Sequence, residues 1–207
     1  MTNIIRQNEE GDSNDPKYDM RSFKVGVFPH FKQYLLPTFS VLDLGCGNGR
    51  VSKLISPHVE SIVGIDVLTY NTSLMNSIHN FKYLNEDIEN FKSNQKFEVI
   101  LSVGTFYHVY SSFLRDRLDS FPDLYKENPS QPFEWVMRNL KKGGFFITIE
   151  RDWRKELDKD YFRKGNYRKN YNLESWCEKF NYQITQETPL GDKYGNGLDM
   201  LTVVRKK

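Results

Sequence analysis

Ser40-Val-Leu-Asp-Leu-Gly-Cys-Gly-Asn-Gly-Arg50 joins an apolar run to an acid, Asp43, and then to three alternating glycines, Gly45, Gly47 and Gly49. Ser40 to Leu44 reads as a short buried strand, and from Arg50 to Ile55 the apolar Val51, Leu54 and Ile55 fall at helical spacing. Glycines at a strand-to-helix corner permit positive φ and let a ligand approach bare backbone. The N–H groups that open the following helix favour electronegative ligand atoms. The plain alternative is a tight turn that binds nothing, and the residues downstream weigh against it.

A second apolar run, Ser61-Ile-Val-Gly-Ile65, ends at Asp66, which stands 21 positions after Gly45. An acid at the tip of the neighbouring strand, about 20 residues on, is where a ribose diol is held. The dinucleotide fingerprint needs Gly or Ala at its last position, and Arg50 stands there instead. That departure argues against a nicotinamide cofactor.

From Asp43 to Gly49 the chain resembles the class I S-adenosylmethionine-dependent methyltransferases, whose first motif alternates as E/D-x-G-x-G-x-G. Three further blocks carry the resemblance in the family's order, and it spans nearly everything from Val41 to Val204. Tyr83-Leu-Asn-Glu-Asp-Ile88 resembles the third strand tip, where an acid and the next residue's backbone meet adenine. Phe97 to His108 resembles strand four and the turn over the cofactor, and Leu140 to Ile149 resembles a helix end, a Gly-Gly turn and strand five. The resemblance implies an α/β fold, a doubly wound, mostly parallel seven-stranded sheet closed by a C-terminal antiparallel hairpin. It assigns cofactor contacts to Asp43, Gly45, Gly47, Asp66, Asp87, Ile88 and Val103, with S-adenosylmethionine as the cofactor and S-adenosylhomocysteine as its product.

The sulfonium of that cofactor is already a good leaving group, so aligning acceptor, methyl and sulfur is the main catalytic task. A hydroxyl or protonated amine acceptor also needs a base, for which His108 at the mouth of strand four is the best-placed candidate. The competing reading has His108 packing beneath the cofactor without doing chemistry. Tyr107, Glu150 and Arg151, also at strand ends, are weaker candidates. After strand four the chain reads Ser102-Val-Gly-Thr-Phe106 instead of the Asp/Asn-Pro-Pro-aromatic turn of enzymes that methylate exocyclic base amines. No Cys/His cluster at zinc spacing and no carboxylate trio for magnesium is legible, so no metal is expected.

Length and composition suit one methyltransferase domain over residues 1–207: 38% of residues are hydrophobic and 14% aromatic. The longest apolar stretches are too short to span a bilayer and the start is polar, which predicts a cytoplasmic protein with no membrane partner. Cys46 and Cys177 are the two cysteines, and both read as reduced thiols. With 29 basic and 27 acidic residues the formal charge is +2, too near balance to demand nucleic acid. The distribution is uneven. Residues 1–20 form a polar tail or lid bearing Glu9, Glu10, Asp12 and Asp15, while residues 111–132 and 151–171 read as substrate-facing insertions. The second insertion interleaves eight basic residues with Trp153, Tyr161, Phe162, Tyr167 and Tyr171, a pattern that suits an acidic or phosphorylated substrate, or stacked bases, as well as a solvated surface.

Helical patterns fall over residues 22–34, 50–55, 73–79, 133–140 and 173–180, and strand patterns over 41–44, 62–66, 81–84, 97–103, 145–150, 182–188 and 198–204. Such alternation implies a parallel doubly wound sheet. The expected activity is methyl transfer from S-adenosylmethionine to O or N of a small metabolite, with an acidic or phosphorylated one fitting the basic stretch. Alternatives are methylation of RNA or protein, and a non-catalytic subunit that only holds the cofactor. The Phe28 to Leu36 stretch reads most simply as a core-packed amphipathic helix, with a pocket lid or dimer face as alternatives, and oligomeric state has no legible signal.

Overall fold

Val41, Val99, Leu101, Ile147 and Val203 face one side of a sheet, while Leu42, Leu44, Ile100, Phe146 and Val204 face the other. Successive strand residues point to opposite faces, so one apolar run per strand supplies two cores. A computed structural model describes residues 20–70, 73–88, 91–106, 131–151, 173–190 and 199–207. The expected residues 1–19, Tyr107, His108 and most of the 111–132 and 151–171 insertions lie outside these.

The strands are β1 (Ser40–Leu44), β2 (Ser61–Asp66), β3 (Phe81–Asn85), β4 (Phe97–Val103), β5 (Leu140–Arg151), β6 (Gln183–Pro189) and β7 (Asp199–Arg205). They form one sheet in the order β3-β2-β1-β4-β5-β7-β6. The first five in that order are parallel, whereas β7 runs antiparallel to both β5 and β6. This is the expected doubly wound sheet with its antiparallel ending. Strand order reverses between β1 and β4, which places the topological switch point, the usual ligand crevice of open α/β sheets, over the glycine loop.

Helices cover both faces. On one side α1 (Met20–Gly26), α2 (Phe28–Phe31) and α3 (Arg50–Ile55) bury Phe23, Val27, Phe28, Phe31 and Ile55 against β1, β2 and β4. On the other, α5 (Gln131–Asn139) and α6 (Leu173–Lys179) bury Phe133, Val136 and Trp176 against Phe146 and Val204. The short α4 (Ser73–Asn76) leads into β3. Among the described residues no helix is long and apolar enough to cross a membrane.

Two local expectations are revised. The single helix anticipated over 22–34 breaks after Gly26 and resumes with Pro29 in its first turn, ending in a 3-10 turn over Lys32–Tyr34. Glycine weakens the helix interior, and proline brings no amide donor and so suits a first turn. Strand five begins at Leu140, five residues early, because Phe97 pairs with Leu140 while Val99 pairs with Phe145. Residues 141–144 bulge out there, with Gly143 at φ +79 and its amide bonded to Lys206 O at 2.8 Å.

Candidate active site

The carboxyl ends of β1, β2, β4 and β5 converge on the glycine loop. Gly45, Gly47 and Gly49 all have positive φ, at 64°, 53° and 84°, so the sequence reading of this corner holds in backbone terms. The loop is stitched to β2: Gly45 N and Cys46 N donate to Ile65 O at 2.8 and 3.1 Å, and Gly49 N closes a turn onto Cys46 O at 3.0 Å. Only glycine fits at Gly45, since an added Cβ would lie 2.1 Å from Thr105 Cγ2. At Gly47 an added Cβ would meet nothing within 4 Å among the described residues, so this stretch of backbone stands open to them.

Asp66, at the tip of β2, closes the loop from below. Its Oδ2 accepts from Gly47 N at 3.0 Å and its Oδ1 accepts from Leu68 N at 2.9 Å. These contacts orient the Asp66 carboxylate at the lip of the loop. The segment after it is pinned as well: Tyr83 Oη donates to Leu68 O, and Thr69 Oγ1 donates to Asn85 Oδ1 at 2.9 Å. Burial pushes the Tyr83 phenol up to about 12, so it stays protonated as that donor.

Asp43 lies buried beneath the loop and accepts from Ser52 Oγ at 2.6 Å. Burial, partly offset by Ser52 and reinforced by the charge of Asp66, pushes its carboxyl up to about 7. Cys46 is a packing residue. Its Sγ fills the space left at Gly64, where an added Cβ would come within 2.7 Å of it. Burial, then the charges of Asp43 and Asp66, drive its thiol far above the usual range, which keeps it an unreactive S–H. Cys46 and Cys177 are both free, as read from the sequence, and both are buried.

Opposite the loop stands the turn after β4. Gly104 N donates to Ile149 O at 2.8 Å. Glu150, buried at the end of β5, accepts from Thr105 N at 3.0 Å, Phe106 N at 2.7 Å and Ser102 Oγ at 3.2 Å. Thr105 Oγ1 reaches back toward Gly45 O at 3.4 Å. The sequence reading listed Glu150 among the strand-end candidates for chemistry, and the structure occupies it in holding the 102–106 turn. Val103 sits half-buried at the head of that turn.

Of the expected cofactor residues, Asp43, Gly45, Gly47, Asp66 and Val103 meet at this corner. Asp87 is exposed beyond β3, and the Ile88 side chain is buried in the core. Tyr107 and His108, the expected catalytic candidates, lie outside the described residues. Sequence reasoning passed over Ser52 and Thr105, although a hydroxyl two positions into a helix that follows a buried acid was a usable signal. The open backbone at Gly47 and the strand-tip carboxylate beside it fit an adenosyl cofactor.

This sheet, switch point and corner define a class I methyltransferase fold. A methyltransferase domain family matches residues 37–198, and the chain belongs to it. It is 29% identical over 160 residues to malonyl-[acyl-carrier protein] O-methyltransferase 2 of Ilyobacter polytropus, covering 67% of this chain and 59% of that protein. A second malonyl-[acyl-carrier protein] O-methyltransferase, from Calditerrivibrio nitroreducens, is 34% identical over 76 residues, covering 33% of this chain and 27% of that protein. The matches thus span less than two thirds of either relative's length. Among solved structures, the N-methyltransferase NodS of Bradyrhizobium japonicum WM9 in complex with S-adenosyl-L-homocysteine superposes with a TM-score of 0.61. It is 12% identical, with 97% of this chain and 93% of that one covered, and this likeness speaks for the fold alone.

Proposed function

We propose that the chain transfers the methyl group to an oxygen of a small acidic acceptor, a carboxylate held as its anion. What supports this acceptor class is the naming of both curated relatives as O-methyltransferases of a malonyl group. The cofactor, when bound, supplies an electrophilic methyl on a sulfonium. In this reading Gly47 offers its open backbone to the cofactor, Asp66 takes the ribose hydroxyls, and Ile88 meets the adenine through its backbone. Asp43 supports the loop from beneath, and Gly45 lets the Thr105 turn close over it.

A carboxylic acid is ionised at neutral pH, so its oxygen attacks without a proton having to leave. The protein then has only to align the anion and exclude water. His108 and Tyr107 would serve to position the acceptor, and no general base is required. A hydroxyl or amine acceptor would instead need His108 as base.

The test is incubation with methyl-labelled S-adenosylmethionine and malonyl thioesters, followed by mild alkali. Release of label as methanol is expected for a methyl ester, whereas alkali-stable label, or label on RNA, would overturn this acceptor class. Asp66→Ala should weaken S-adenosylhomocysteine binding by about 1.5–3 kcal/mol per charged hydrogen bond lost, read by calorimetry. Unchanged affinity would remove Asp66 from the cofactor site.

A further inference from the structure

The helix layer on the α1 side carries a second concavity, which reaches Arg50, the residue after Gly49. A cleft of about 760 Å³ opens between α1 and α2 on one wall and α3, the turn after it and α4 on the other. None of the residues assigned above to the cofactor lines it. Its volume lies within the range of about 300–1,000 Å³ typical of small-molecule sites.

Two kinds of side chain build it. Phe28, Leu54 and Leu74 contribute apolar surface and are buried or half-buried, so they form its depth. Lys24, Lys32 and Lys53 are exposed and stand at its mouth with Arg50, and no carboxylate is among the described lining residues. The cations are partly fixed. Lys53 Nζ donates to Ser77 O and Ser77 Oγ at 3.2 and 3.1 Å, and Lys32 Nζ lies 6.0 Å from the Phe28 ring centre. The His58 ring packs 5.4 Å from the same ring. Burial, and then the charge of Lys32, hold His58 below its usual range, which leaves a neutral imidazole as a further polar partner.

Surface lysines usually alternate with acids, and isolated ones need no ligand. Here like charges converge on one concavity whose depth is apolar, an arrangement that costs repulsion and favours an anion with a hydrophobic body. We propose that this cleft is a second ligand site, taking an organic anion whose carboxylate or phosphate meets Lys24 and Lys32 while its alkyl or aryl body packs on Phe28, Leu54 and Leu74. The site is independent of the acceptor proposed above.

Decyl phosphate, titrated calorimetrically into the full chain below its micelle concentration, tests this. Saturation at one equivalent is expected, with decanol and inorganic phosphate each weaker by about tenfold or more, since both halves of the ligand are recognised. Lys24→Glu together with Lys32→Glu should weaken decyl phosphate by about tenfold or more while leaving S-adenosylhomocysteine affinity as in the wild type. The milder pair Lys24→Gln and Lys32→Gln should move binding in the same direction. Absence of saturation, equal binding by the charge-altered chains, or equal binding of decanol would overturn the site. So would loss of decyl phosphate binding when S-adenosylhomocysteine saturates the protein, which would place the anion in the cofactor corner. A tightening of about tenfold on neutralising Glu9, Glu10, Asp12 and Asp15 in the full chain would make the chain's own acidic segment the occupant and overturn it as well.

Discussion

The two ends of the central strands treat an acid in opposite ways, a half-buried one at the amino end and a buried one at the carboxyl end. At the amino end of β4, Glu98 accepts from Ser40 N at 2.8 Å and Ser40 Oγ at 2.6 Å, and it is also paired with Lys141. Burial alone would raise its carboxyl, but those donors, Lys141 foremost, bring it down to about 2. Three residues along β1, toward the carboxyl end, Asp43 is fully enclosed with the Ser52 hydroxyl as its side-chain donor and is pushed up to about 7. Burial acts on both, and the number and charge of the donors decide which side of neutrality each carboxyl falls on. The amino end is a structural clasp, joining β1, β4 and the bulge of β5. The carboxyl end keeps an under-supplied acid beneath an open loop, the sort of perturbed group that gathers at functional sites.

The largest expected effect lies at Asp43. A carboxyl whose folded value is raised lets the native state hold a proton that the unfolded chain has already lost. Stability therefore falls as pH climbs from about 4 to about 7 and is flat above. Asn at this position never ionises. Comparing wild type with Asp43→Asn by urea unfolding, the wild type should lose about 3 kcal/mol relative to the variant between pH 5 and pH 8. A pH-independent gap would mean that Asp43 is ionised in the fold throughout, and the contrast between the two ends would collapse.

Glu98 predicts the reverse slope with a smaller amplitude. Its lowered carboxyl contributes stability that is present above its unfolded value near 4.5 and is lost as pH falls toward 2. Glu98→Ala should cost about 2 kcal/mol at pH 7, because it strands Ser40 and Lys141 donors. That cost should shrink on acidification toward pH 2, again by urea unfolding. A cost that persists unchanged at pH 2 would assign the effect to lost packing.

What was legible in the sequence divides along the same line. Every parallel strand could be read from apolar runs, and the glycine corner from its spacing, because such features are local. The partners of the two acids differ in this: Ser52, nine residues from Asp43, left a usable local signal, whereas Ser40 lies 58 residues from Glu98 and left none. Only the strand order brings the second pair together. The bulge after Leu140 was hidden for the same reason. Gly143 and Gly144 signal a turn, but the pairing of Phe97 with Leu140 that draws these residues into the sheet depends on β4. The cationic cleft is dispersed over helices α1 to α4 and the turns between them, and no window of sequence shows it.

The smallest stability change should come from Gly47→Ala, and it is the most specific test of the carboxyl end. The residue has φ +53, so a side chain there is strained by about 1 kcal/mol, yet no atom of the described residues stands within 4 Å of the added Cβ. Stability by urea unfolding should therefore drop only by about 1 kcal/mol. If the open space is the cofactor's, the methyl group occupies volume that the ligand needs, and S-adenosylhomocysteine affinity should fall by more than tenfold, about 1.4 kcal/mol or more. Gly45 separates the two effects, because an Ala there meets Thr105 whether or not a ligand is bound. Its cost should therefore appear in stability itself. A Gly47→Ala chain that binds S-adenosylhomocysteine as the wild type does would show that the cofactor takes another path across the loop.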